Sequence, residues 1–254
     1  MSDFNRNIGG AWRGATTDRA IAIDQGLRAY MIRVYNYMAM GVALTGVVAW
    51  FTYNAAAVTD ASGKLVGLTS FGQAIYSGPA TIVLFLGTLG LVFLISWRID
   101  KLQPSTALML FMLYAGLLGL MLSSIFLAYT HASIARVFFI SAASFGALSL
   151  WGYTTKRDLS PMGTFLMMGL IGLIIAMVVN IFLKSSGLDF IISGAGVLIF
   201  AGLTAWDTQK IKEMYDVNDD GTVAGRKSVM GALTLYLDFI NLFLFMLRIF
   251  GDRR

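Results

Sequence analysis

Seven stretches of this chain are apolar on every face and each is close to the roughly twenty residues that a helix needs to cross a hydrocarbon core about 30 Å thick. They lie at roughly 30–53, 80–97, 105–128, 134–153, 162–183, 189–209 and 229–250, with boundaries soft by a few residues. Backbone N–H and C=O groups find no water in a bilayer, so only helices or a closed barrel can span one. Runs such as FLMMGLIGLIIAMVVNIFL show no strand-like alternation, which leaves helices. The expected fold is therefore all-α, a polytopic membrane protein built as a seven-helix bundle. All three prolines, Pro79, Pro104 and Pro161, fall at the starts of these stretches, where a missing backbone N–H costs nothing.

Composition agrees with this reading. The 254 residues are 57% hydrophobic and 13% charged, with a mean hydropathy of +0.72, whereas soluble domains average about 25% charged residues. Cysteine is absent and there is a single histidine, so disulfide frameworks and thiolate metal sites are excluded and little is left for zinc chemistry. The net charge of +5 does not point to nucleic acid, because the basic residues are scattered singly between apolar runs. They read as topology signals. Arg6, Arg13, Arg19, Arg28, Arg33, Arg98, Lys101, Lys156, Arg157, Lys210, Lys212, Arg226 and Lys227 fall on one side and the other six opposite. By the positive-inside rule the amino terminus is cytoplasmic, and seven crossings send the carboxyl terminus outside. Arg248, Arg253 and Arg254 dissent, and a re-entrant last stretch would bring them back inside.

Residues 1–28 lack an apolar signal-peptide core and are expected to be a retained cytoplasmic tail, with residues 29–254 as the transmembrane domain. The second half of the tail has the pattern of an amphipathic helix, with Asp24 and Arg28 one turn apart. Small residues recur in the spans, among them Gly116, Gly119 and Ser123, Gly169 and Gly172, and Gly194, Gly196 and Gly202, as expected where helices approach closely in lipid. Tyr35, Tyr37, Trp50 and Trp97 read as belt aromatics at the membrane interface.

Two acids stand where membrane helices should carry no charge. Asp207 lies in FAGLTAWDTQKIK near the cytoplasmic end of the sixth stretch, and Asp238 follows about nine residues of the seventh, roughly 13 Å deep at 1.5 Å per residue. A carboxylate at that depth costs about 2.5–3.5 kcal/mol on insertion scales, so such residues face the protein interior and serve a pathway or a pairing. Two carboxyls brought together cannot both ionise cheaply and share a proton, which makes a pH sensor. Deprotonated, the same pair offers hard oxygen ligands to a divalent cation such as calcium. Arg98, at the cytoplasmic end of the second stretch, has two readings: a latch that pairs with Asp207 and holds it ionised, or a positive-inside anchor. His131 falls in a short outer loop, too far out to serve as the base of an intramembrane protease, and no P-loop, dinucleotide fingerprint or H-E-x-x-H motif occurs. Neither an enzyme nor a resident cofactor is expected.

The last stretch, LYLDFINLFLFMLRIFG, closely resembles the signature of the Bax inhibitor (TMBIM) family, and AWDTQKIK with ALSLWGYTTKRDLSPMGTFLMMGLIGLIIAMVVNIFL resembles its bacterial branch. The resemblance runs from the first apolar stretch onward. It implies a bundle with the last helix at its centre, a location in the bacterial inner membrane, and a pH-sensitive calcium leak governed by a pair of aspartates matching Asp207 and Asp238. It also maps the family's latch arginine onto Arg98. Calcium and protons are then the ligands, with calcium the permeant or bound ion. An alternative is a regulatory protein that docks on a membrane protease or a stress-response partner and transports nothing. A third is a proton-coupled exchanger.

Overall fold

The computed structural model describes residues 3–60 and 65–254, with side chains from Asp24 onward. Helix α1 (Asp3–Ala56) leads into a small antiparallel hairpin, β1 (Ala57–Thr59) and β2 (Leu65–Leu68), and a short α2 (Ser70–Ile75). Then come α3 (Gly78–Arg98), one 3-10 turn at Ile99–Lys101, α4 (Pro104–Leu122), α5 (Ile125–Ala128), α6 (His131–Thr154), α7 (Ser160–Leu183), α8 (Ser186–Glu213) and α9 (Gly221–Phe250). Among the described residues seven helices are long and apolar enough to cross a membrane, each overlapping one of the seven stretches read from the sequence. The chain is an integral membrane protein of all-α architecture.

Local chemistry fixes where the spans begin. Pro79, Pro104 and Pro161 all occupy the first or second position of α3, α4 and α7, where the fixed φ of proline is already helical. Ser77, Thr130, Ser185 and Asp220 cap α3, α6, α8 and α9 by accepting the first free N–H groups. The boundary expected at residue 28 falls inside α1, which passes through it unbroken, and within the described residues Asp24–Ala56 of this helix is long and apolar enough to hold the first crossing. Among the described residues Asp24 and Arg28 form no ion pair. The side chains of the tail before Asp24 lie outside the described residues.

Helix α9 is the axis of the bundle. Of its most apolar 18 residues 72% are buried, against 11% for α3 and α7. It packs against α8, α1, α6 and α4, while α3 lies outside on α4 and α7 outside on α8. Phe111, Tyr114 and Tyr236 meet edge to face beside it, and the Tyr236 hydroxyl lies 2.6 Å from Thr45 Oγ1 in the buried interior. Small residues mark the closest approaches, but not always those expected. Gly119 packs on α1, Gly196 beneath Phe245 and Gly202 beneath Leu166, whereas Gly116, Gly172 and Gly194 have open space where a Cβ would be.

The loops sort cleanly to two ends. At one, Arg226 Nε donates to Leu102 O, Gln209 bridges Arg157 O and Leu159 N, and the Tyr30 and Tyr215 rings meet. At the other, Thr130 N donates to Asp252 O, Arg254 N to Ala128 O, and Arg254 reaches Tyr53 and His131. The last helix thus runs the full length and does not re-enter, and Arg253 and Arg254 sit at the end opposite the 214–220 connection.

Candidate functional site

Helices α8 and α9 are antiparallel neighbours, and the turn at Met214–Asp220 folds one back on the other so that Asp207 and Asp238 face each other. Both are buried, 8% and 5% exposed, and close enough for each charge to act on the other. Oδ2 of Asp238 is buried with no hydrogen-bond partner among the described residues. Two unit charges about 4 Å apart repel by about 4 kcal/mol at an effective dielectric of about 20, so a buried pair of carboxyls favours holding one proton between them.

The pair opens onto a cleft of about 560 Å3 between α7, α8 and α9. It exists because α7 packs on α8 and leaves the flank of α9 uncovered. Thr234 and Asn241, one helical turn on either side of Asp238, line the same wall. The Thr234 hydroxyl donates to Met230 O and one Asn241 amide N–H to Leu237 O, which leaves their oxygens available as acceptors. Two carboxyls, an amide oxygen and a hydroxyl are hard ligands short of the six to eight that calcium takes, a set suited to passing contact with water completing the shell. Among the described residues no group of three or more His, Asp or Glu side chains could hold a metal ion.

Cations stand at both ends of the cleft. Lys210 lies one turn from Asp207, close enough to act on its charge, with Nζ 5.1 Å from the centre of the Trp206 ring. Arg248 lies over Phe245 at 5.5 Å and 3.9 Å from Asp189. Sequence reasoning counted both as topology signals only. The signal that would have found them was helical spacing, since 207 and 210, or 234, 238, 241, 245 and 248, recur on one face.

The structure does not bring Arg98 to this site. Its side chain is exposed at the end of α3, beside Trp97 and Leu102, and it forms no ion pair among the described residues. The reason is architectural: α3 packs on α4, on the far side of the bundle from α8. The latch contact with Asp207 is therefore not made in this conformation. Tyr35 also departs from its belt reading, because its hydroxyl turns inward to Ser149 Oγ at 2.7 Å. Trp97, 90% exposed, fits the belt. Ser193 donates to Asp189 O within its own helix, as a packing residue would.

Comparison with known proteins agrees with this architecture. The family described as inhibitor of apoptosis-promoting Bax1 matches residues 27–254. The chain is 48% identical to an uncharacterized protein of Rickettsia prowazekii over the whole of both chains. It is also 48% identical to the inner membrane protein YbhL of Escherichia coli, covering 94% of this chain and 97% of that one. An uncharacterized protein of Caulobacter vibrioides is 42% identical, again over the whole of both chains.

Proposed function

The chain belongs to the Bax inhibitor family, and on that premise we propose that it is a pH-sensitive calcium leak of the bacterial inner membrane, with Asp207 and Asp238 as proton sensor and ion contact. The observation that carries this reading is the pair of buried, facing carboxyls opening onto the α7–α8–α9 cleft. With one proton between them the pair is singly charged and its oxygens are engaged with each other. As pH rises the proton is lost, the carboxylates repel, and a divalent cation can replace it between them. Protons and calcium compete for one place, so flux increases with pH. The inner-membrane setting is supported by the relative YbhL, an inner membrane protein by name.

Purified protein in liposomes free of other proteins tests this directly. Calcium entry should rise with pH, and Asp238→Asn should flatten the profile. An unchanged flux and pH profile in Asp238→Asn, with the variant still monodisperse in detergent, would overturn the leak. Weight would then pass to a protein that docks on a membrane partner, such as a protease, without transporting.

A further inference from the structure

A second and larger hollow lies on another face of the bundle. Helices α1 and α6 both pack on α9, and the gap between them forms a groove of about 980 Å3. It runs from Arg28 to Ala43 along α1 and from Tyr153 back to Phe138 along α6. At 1.5 Å per residue those fifteen steps make about 22 Å. That is one leaflet, headgroup level to midplane, of a bilayer about 40–45 Å thick.

We propose that this groove binds one anionic phospholipid, with an acyl chain along it and the headgroup phosphate at Arg28. The site does not use the aspartate pair and stands independently of the leak. The walls suit a chain: Ala39, Ala43, Ala142 and Gly146 hollow them, and Phe145 and Phe239 form the floor. The hydroxyls that cross the gap are already paired, Tyr35 to Ser149 at 2.7 Å and Ser149 to Thr208 at 2.8 Å. The mouth suits a phosphate. The exposed Arg28 guanidinium has no ion-pair or hydrogen-bond partner among the described residues. Lys212 stands at the same mouth, donating one N–H to Tyr153 O at 2.9 Å and lying 5.2 Å from the centre of the Tyr153 ring, with two N–H groups left over. Asp24, one turn before Arg28, is the nearby acid and forms no ion pair with it among the described residues.

Native mass spectrometry of the full chain in mild detergent, with phosphatidylglycerol and phosphatidylcholine of matched chains, tests the assignment. One phosphatidylglycerol should be retained in preference. Arg28→Gln should cut that preference about fivefold, the effect of one cation at a membrane surface, and Arg33→Gln, outside the groove, should leave it intact. Gly146→Leu should abolish retention of either lipid. Its first carbon has room, since a Cβ at 146 meets no atom within 4 Å, and a monodisperse peak in detergent checks that the variant folds. Equal retention of both lipids by the unaltered chain, unchanged retention in folded Gly146→Leu, or equal effects of Arg28→Gln and Arg33→Gln would each overturn the proposal.

Discussion

Replacing Gly152 by alanine probes the contact that seats α8 against α6. A Cβ there would lie 2.8 Å from Ala205 C and 2.9 Å from Ala205 Cα, and closer still to its carbonyl oxygen. These are backbone atoms, so no side chain can turn aside and the two helices must move apart. Overpacking of this kind costs about 1–3 kcal/mol, while the better helix propensity of alanine returns about 0.5–1 kcal/mol. Gly146→Ala is the matched control, six residues earlier on the same helix, where the added carbon meets open space. It gains the propensity and pays nothing. The propensity gain is common to both, so the two variants should differ by the overpacking alone, roughly 1–3 kcal/mol, or some 2–12 °C in melting temperature at about 2–4 °C per kcal/mol for a chain of this size. Thermal denaturation read by the monodisperse peak on size exclusion measures it. Equal melting of the two would refute the backbone contact. Because Ala205 is two residues from Asp207, Gly152→Ala should also lower calcium flux while Gly146→Ala does not.

Asp207→Asn and Asp238→Asn should each flatten the pH response, and the double variant should do little more than either, as residues sharing one proton are not additive; additive changes would mean separate sites. Single cysteines at Thr155 or Thr222, in a chain with no native cysteine, should react with an impermeant thiol reagent only after the membrane is permeabilised, and labelling in intact cells would invert the orientation. Asp158 accepts the backbone N–H of Ser160 at 2.8 Å, which holds its carboxyl below the usual carboxylate range. A depressed value stabilises the folded form above the usual range and the gain is lost as pH falls, so the protection of the Ser160 amide, its exchange measured against the intrinsic rate, should fall below about pH 4.

The spans were legible because lipid imposes a length and removes alternatives. The proline starts were legible for the same reason that proline is rare elsewhere in a helix. The aspartates stood out because charge at membrane depth is costly, and their meeting required only that consecutive helices return as a hairpin. What escaped is what depends on three-dimensional neighbours. Nothing in the letters near Arg98 says that α3 lies on α4 and away from α8. Nothing near Gly152 distinguishes it from Gly146, though one touches backbone and the other faces open space. The 57–68 hairpin is not legible in the sequence because its strands are only three and four residues long, too short for a period-2 pattern to register.

The lining of the α7–α8–α9 cleft also bears on how fast a leak through it runs. Lys210 and Arg248 flank the aspartates on the same wall, and Arg248 is itself 3.9 Å from Asp189. With one proton shared, the single negative charge of the pair is balanced by Lys210, so the cleft has no net charge to draw calcium. With the proton gone one negative charge is left over, and only the few oxygens of Asp207, Asp238, Thr234 and Asn241 hold the ion. A fast channel would line its path with acids and keep cations out of it. On the leak reading, the arrangement instead gives a conduit whose closed state is electrostatically neutral and whose open state is weakly attractive. Such a conduit passes ions slowly and tracks pH, because loss of one proton supplies the charge that draws the cation in.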